Sequence, residues 1–114
     1  MAANPIGRDE YIRDVLRAYC NTPGTTGSSR RSDRLLAAQL YEHGAPLIAV
    51  ENALVLASAR RLFRANDRIP LNTIRSLAYF LPVIEEVLEL QVDQEYFNYL
   101  RRKIERLIQT VRAR

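Results

Sequence analysis

Histidine, cysteine and lysine occur once each in this chain, and tryptophan not at all. A lone Cys20 leaves no internal disulfide and no cysteine-based zinc site. A lone His43 leaves no histidine pair for a metal, argues against a histidine-based triad, and is better read as the C-terminal cap of a helix. No apolar run reaches the roughly 18 residues that would cross a bilayer. The start, MAANPIGRDEY, lacks the apolar core of a secretory signal, so a cytoplasmic protein without a membrane partner is expected. The one Gly-rich stretch, PGTTG, has neither the lysine nor the spacing of a phosphate-cradling loop. Glu85, Glu86 and Glu89 could be taken for a metal-binding acid cluster, but three acids on one helix are far more often a solvated face. These absences lead us to expect no enzyme, no metal and no cofactor.

Apolar side chains, in contrast, are plentiful. At 47% of 114 residues they exclude a disordered chain and suffice for one domain with its own core. Their spacing predicts an all-α fold, a single compact bundle of about five helices over 1–114, with 1–8 a flexible N-terminus and 21–31 a mobile loop. Helix 1 is expected over about Asp9–Tyr19, with an Asp9–Arg13 pair on its surface. Helix 2 is expected over about Ser32–His43, with Ser32 as N-cap, Leu36, Leu40 and Tyr41 inward, and Gly44 ending it. Helix 3 would start at Pro46 and run to Phe63 or Arg64; it is apolar around most of its circumference and should lie at the centre. Ile74, Leu77, Leu81, Ile84 and Leu88 keep a 3,4,3,4 spacing across Pro82, which predicts one kinked helix, or two nearly coaxial ones, over about 72–90. Phe97, Leu100, Ile104, Leu107 and Val111 repeat that spacing in a long, basic C-terminal helix from about Asp93 to Arg112.

Charge is the second abundance. Sixteen of the seventeen basic residues are arginine, the residue suited to planar, two-point contact with phosphate or carboxylate. A high-GC genome would also favour arginine codons. Residues 79–99 hold five acids and no base, whereas 100–114 hold six bases and one acid. That layout suggests an acidic belt meeting a basic tail, within one chain or between copies of a homo-oligomer.

Two arginine clusters stand out: Arg30, Arg31 and Arg34 before and in helix 2, and Arg60, Arg61, Arg64 and Arg68 at the end of helix 3. If helices 2 and 3 pack as an antiparallel hairpin, both clusters fall at the same end, as a track for nucleic-acid phosphates requires. The other reading of the helix 3 cluster is that it answers the helix dipole and pairs with acids. Leu35–Leu54 has the outline of a helix-turn-helix, but its second helix offers only Glu51, Asn52 and Ser58 among aliphatics, which is poor for reading bases. Tyr96 and Tyr99, beside Arg101, Arg102, Lys103 and Arg106, are residue types enriched where proteins meet, and mark a candidate partner surface.

The segments HGAPL, IAVENALVLASARR and IRSLAYFLPVI, within 33–90, resemble small helical modules of bacterial and phage replication proteins of the DnaD type, and helical accessory proteins of mobile elements. The resemblance covers about half the chain. It implies a non-enzymatic DNA-binding accessory role in replication or in a mobile-element machine. It also implies contact with single-stranded DNA through Tyr79 and the arginines before it. Where those modules carry a Pro-x-x-Tyr pattern, this chain has Ser76-Leu77-Ala78-Tyr79-Phe80. The alternative left open is an adaptor or small subunit of a larger assembly, whose arginines contact protein acids.

Overall fold

In the computed structural model, residues 6–64, 71–90 and 93–112 are described, the side chains of Val111 and Arg112 excepted. Five α-helices account for most of the chain: α1 (Arg8–Cys20), α2 (Arg31–Glu42), α3 (Leu47–Leu62), α4 (Leu81–Glu89) and α5 (Gln94–Arg112). A 3₁₀ turn at Leu77–Phe80 leads into α4. Among the described residues the only β pairing is one parallel bridge, Thr25 to Ile74.

Helix α3 lies at the centre, as its composition predicts, packed against α1, α4 and α5. Val50, Ala53, Leu54 and Ala57 are buried along it, and full burial of each larger side chain stabilises by about 1.5–3 kcal/mol. Asn52 and Ser58, the side chains a DNA-reading helix would have shown to a groove, are buried as well. Asn52 exchanges two hydrogen bonds with Gln94 of α5, at 2.9 and 3.1 Å, and Ser58 donates to the Leu54 carbonyl at 2.7 Å. Both are satisfied inside the bundle, which removes α3 as a base-reading element.

Gly44 ends α2 as expected. Its φ of 78° is open to glycine at little cost, and the Gly44 and Ala45 N–H groups close on the Tyr41 and Leu40 carbonyls. This reversal brings the Ala45 carbonyl under the buried Tyr11 hydroxyl, which donates to it at 2.7 Å. His43 Nδ1 lies 2.8 Å from the Gln39 carbonyl, the C-terminal position assigned to it.

Four local expectations are corrected. Ser32 is not the N-cap of α2; that position is Arg30, whose backbone N–H donates to Asp33 Oδ2 at 2.8 Å. Asp33, 1% exposed, also accepts from the Leu77 N–H at 2.9 Å, so one buried carboxylate fastens both the start of α2 and the start of the 3₁₀ turn. Arg13 pairs with Glu10 and Asp14 rather than Asp9. Pro46 stands just before α3 rather than in its first turn.

The fourth correction concerns Pro82. The helix expected from residue 72 begins only at the 3₁₀ turn, and Pro82 sits in the first turn of α4 instead of bending a helix at its middle. A first-turn proline forfeits nothing, because the N–H groups there have no intrahelical partner. Upstream, the segment around Ile74 is claimed by the 21–31 loop: the Ile74 N–H donates to the Gly24 carbonyl at 2.7 Å, and the Thr26 N–H donates to the Ile74 carbonyl at 3.2 Å. Ser76 then caps the turn, its Oγ accepting from the Ala78 N–H at 3.1 Å.

Candidate basic pocket

Helix α3 ends in Arg60 and Arg61, where positive side chains complement the helix dipole. Arg64 follows just beyond. These three guanidiniums line an open pocket of about 500 Å³. Tyr79 of the 3₁₀ turn, Val83 of α4 and Leu71 complete its walls. Three arginines and Tyr79, singled out from sequence alone, are thus gathered in one place. The apolar components, Leu71, Val83 and Ala57 at the floor, carried no sequence signal beyond their being apolar.

Arg61 is held at several points. Its Nη1 donates to the Tyr79 hydroxyl at 3.2 Å and its Nη2 to the Asn72 carbonyl at 3.0 Å, while its guanidinium carbon lies 5.7 Å from the centre of the Tyr79 ring. Gly24 lies against it: a Cβ there would stand 3.2 Å from Nη2, and its φ of 90° already disfavours any other residue. Two of the five guanidinium N–H groups are thereby engaged by described residues. The Tyr79 ring is 48% exposed and rests edge-on against Phe80, so it presents a fixed aromatic wall.

Arg60 is engaged differently. It forms a two-point contact with Glu86 of α4, at 2.8 and 2.5 Å. Hydrogen bonding to Arg60 holds the Glu86 carboxyl below its usual range, and the same bond raises the pKa of Arg60. Pairing with an acid was the second reading of this cluster, and it holds for Arg60. The described lining holds three arginines and no acid, with Glu86 standing against Arg60.

The first cluster is arranged otherwise. Helices α2 and α3 do not pack as an antiparallel hairpin, because α2 lies on α1 and on the 3₁₀ turn. The two clusters are linked instead by the segment between Asn72 and Arg75: Arg61 donates to the carbonyl at one end of it and Arg30 to the Arg75 carbonyl at the other. Arg31 and Arg34 are exposed and do not line the pocket. Arg68 lies outside the described residues.

On α5, Tyr96 and Tyr99 are exposed as expected, at 47% and 45%. The Lys103 ammonium sits 4.8 Å from the centre of the Phe63 ring and 5.9 Å from that of Tyr99. Arg102 and Arg106 are exposed. Arg101 lines a second open groove of about 500 Å³ between α1, α3 and α5, whose rim mixes Arg17 with Asp14, Glu51 and Glu105 and so has no preference for anions. Among the described residues no ion pair joins the acidic belt to residues 100–110. Among them, too, no group of three or more metal-ligating side chains gathers, and no helix is long and apolar enough to cross a membrane.

No protein-family profile matches the chain, no curated protein matches it, and no solved structure matches its fold.

Proposed function

We propose that this protein binds the phosphate backbone of nucleic acid through the α3 arginine pocket, as a non-enzymatic accessory protein of a replication or mobile-element machine. The observation that carries this reading is the gathering of Arg60, Arg61 and Arg64 around Tyr79 in one open cavity whose described lining holds no acid. An arginine fork meets a phosphate at two points, and the Tyr79 and Asn72 contacts hold the Arg61 fork in place before any ligand arrives. Nothing in the pocket is arranged to read a base edge, so the contact gives affinity without sequence preference.

The test is a salt titration of binding to a fluorescent oligonucleotide. With Arg60 held by Glu86, about two phosphate contacts imply a slope of log affinity against log salt of about −1 to −2. Arg61→Gln is expected to weaken binding and to make the slope shallower by about one. Binding absent at low salt, or present without a salt slope, contradicts the reading.

A second reading, an adaptor whose arginines grip protein carboxylates, is favoured by one contact. Arg60 already holds Glu86 in the two-point geometry that an acidic partner would use. An acidic peptide that binds where oligonucleotides do not would select it.

A further inference from the structure

We propose that a platform for unpaired bases lies beside the basic pocket, formed by Phe63, Tyr96 and Tyr99 with Lys103 between the rings of Phe63 and Tyr99, so that the natural ligand is a single strand rather than a duplex. The inference rests on the pocket being a phosphate site.

Two stripes of side chains meet there. On α5, Tyr96, Tyr99 and Lys103 follow at i, i+3 and i+7 and therefore share a face. At the end of α3, Arg60, Phe63 and Arg64 follow at i, i+3 and i+4. The stripes touch where Lys103 bridges Phe63 and Tyr99. Arg60 and Arg64 also line the pocket, so the platform is continuous with it.

All three rings are partly exposed, Phe63 at 40% and the two tyrosines slightly more. A flat ring face is a stacking surface for any base. Cations set between such rings suit a polyanion threading past them. A protein–protein interface would instead deplete lysine at its centre. A duplex keeps its base faces stacked inside and would use only the arginines, leaving the rings idle. An unpaired strand uses both, with phosphates in the pocket and bases on Phe63, Tyr99 and Tyr96.

The experiment compares binding of a dye-labelled oligothymidylate, an oligouridylate and a hairpin duplex at low salt. The parent protein is expected to prefer at least one unpaired strand, and whichever is tighter identifies the sugar. Tyr99→Ala should weaken single-strand binding about tenfold or more. The same substitution should leave the salt slope and duplex binding unchanged, and Tyr99→Phe should bind as the parent does. Lys103 is the only lysine, so apart from the chain terminus an amine-reactive reagent labels one site, which the single strand should protect and the duplex should not. Circular dichroism of each variant checks that the helices remain. Equal or tighter duplex binding overturns the platform. So does an unchanged affinity for both Tyr99→Ala and Tyr96→Ala while Arg61→Gln still weakens binding; the pocket reading would then survive alone. Failure of every oligonucleotide to bind overturns the pocket reading and the platform together.

Discussion

The two arginine clusters look alike in sequence and differ in what surrounds them. Arg30, Arg31 and Arg34 stand at the positive end of α2, against the helix dipole, and the local need is met by the buried Asp33. Arg30 is drawn inward to a backbone carbonyl of the Asn72–Arg75 segment. Arg60, Arg61 and Arg64 stand at the negative end of α3, where the dipole favours them, and they open onto a cavity with an aromatic wall. Basic residues in a row thus serve two ends. Arg30 of the first cluster belongs to the joint that assembles the fold, and the second cluster opens onto a surface pocket.

Asp33→Ala should break that contrast most strongly. It leaves the buried Leu77 N–H without its acceptor, at about 1–3 kcal/mol, and the part-buried Arg30 N–H at less, so urea unfolding should show a loss of about 2–4 kcal/mol. Arg61→Gln should act on binding instead. Losing a charge-assisted contact worth about 1.5–3 kcal/mol should weaken oligonucleotide binding about tenfold or more, while Arg34→Gln changes it little. Anisotropy titrations of both variants measure the difference.

Two tyrosines sharpen the comparison at smaller scale. Tyr11→Phe removes a buried hydrogen bond to the Ala45 carbonyl and should cost about 1 kcal/mol in urea unfolding. Burial pushes the Tyr11 phenol up to about 12 from its ordinary 10. Its contribution to stability is therefore fully present below pH 10 and lost as pH rises through 12, and the phenylalanine variant should flatten that alkaline decline. Tyr19, buried close to Asp33, has a hydroxyl without a partner among the described residues. Tyr19→Phe should therefore leave stability unchanged or raise it slightly. The smallest effect on stability is expected for Glu86→Gln, an exposed change that should barely move the melting temperature. By releasing Arg60 it should strengthen oligonucleotide binding, as the same titrations would show.

The helices were legible wherever apolar spacing decides them. α1, α3 and α5 fall within a residue or two of their expected bounds, because each buries one continuous stripe or, for α3, most of its surface. The stretch before Pro82 misled for a physical reason. Ile74 is buried in step with Leu77 and Ile84, yet it is buried by pairing with the 21–31 loop, and helical spacing cannot distinguish the two. Asp33 was illegible because nothing local marks an acid whose second partner, Leu77, is 44 residues away. In the pocket, residue types were legible and neighbours were not. Arginine and tyrosine suggested phosphate and stacking, but only the fold sets Arg61 against Tyr79, and Phe63 against Lys103.

The most direct test of the account is the salt slope of oligonucleotide binding for the parent protein beside Arg61→Gln. A slope of about −1 to −2 is expected for the parent, and for the variant weaker binding with a slope shallower by about one. Identical affinities and slopes for the two proteins, or no binding by the parent at low salt, would contradict it.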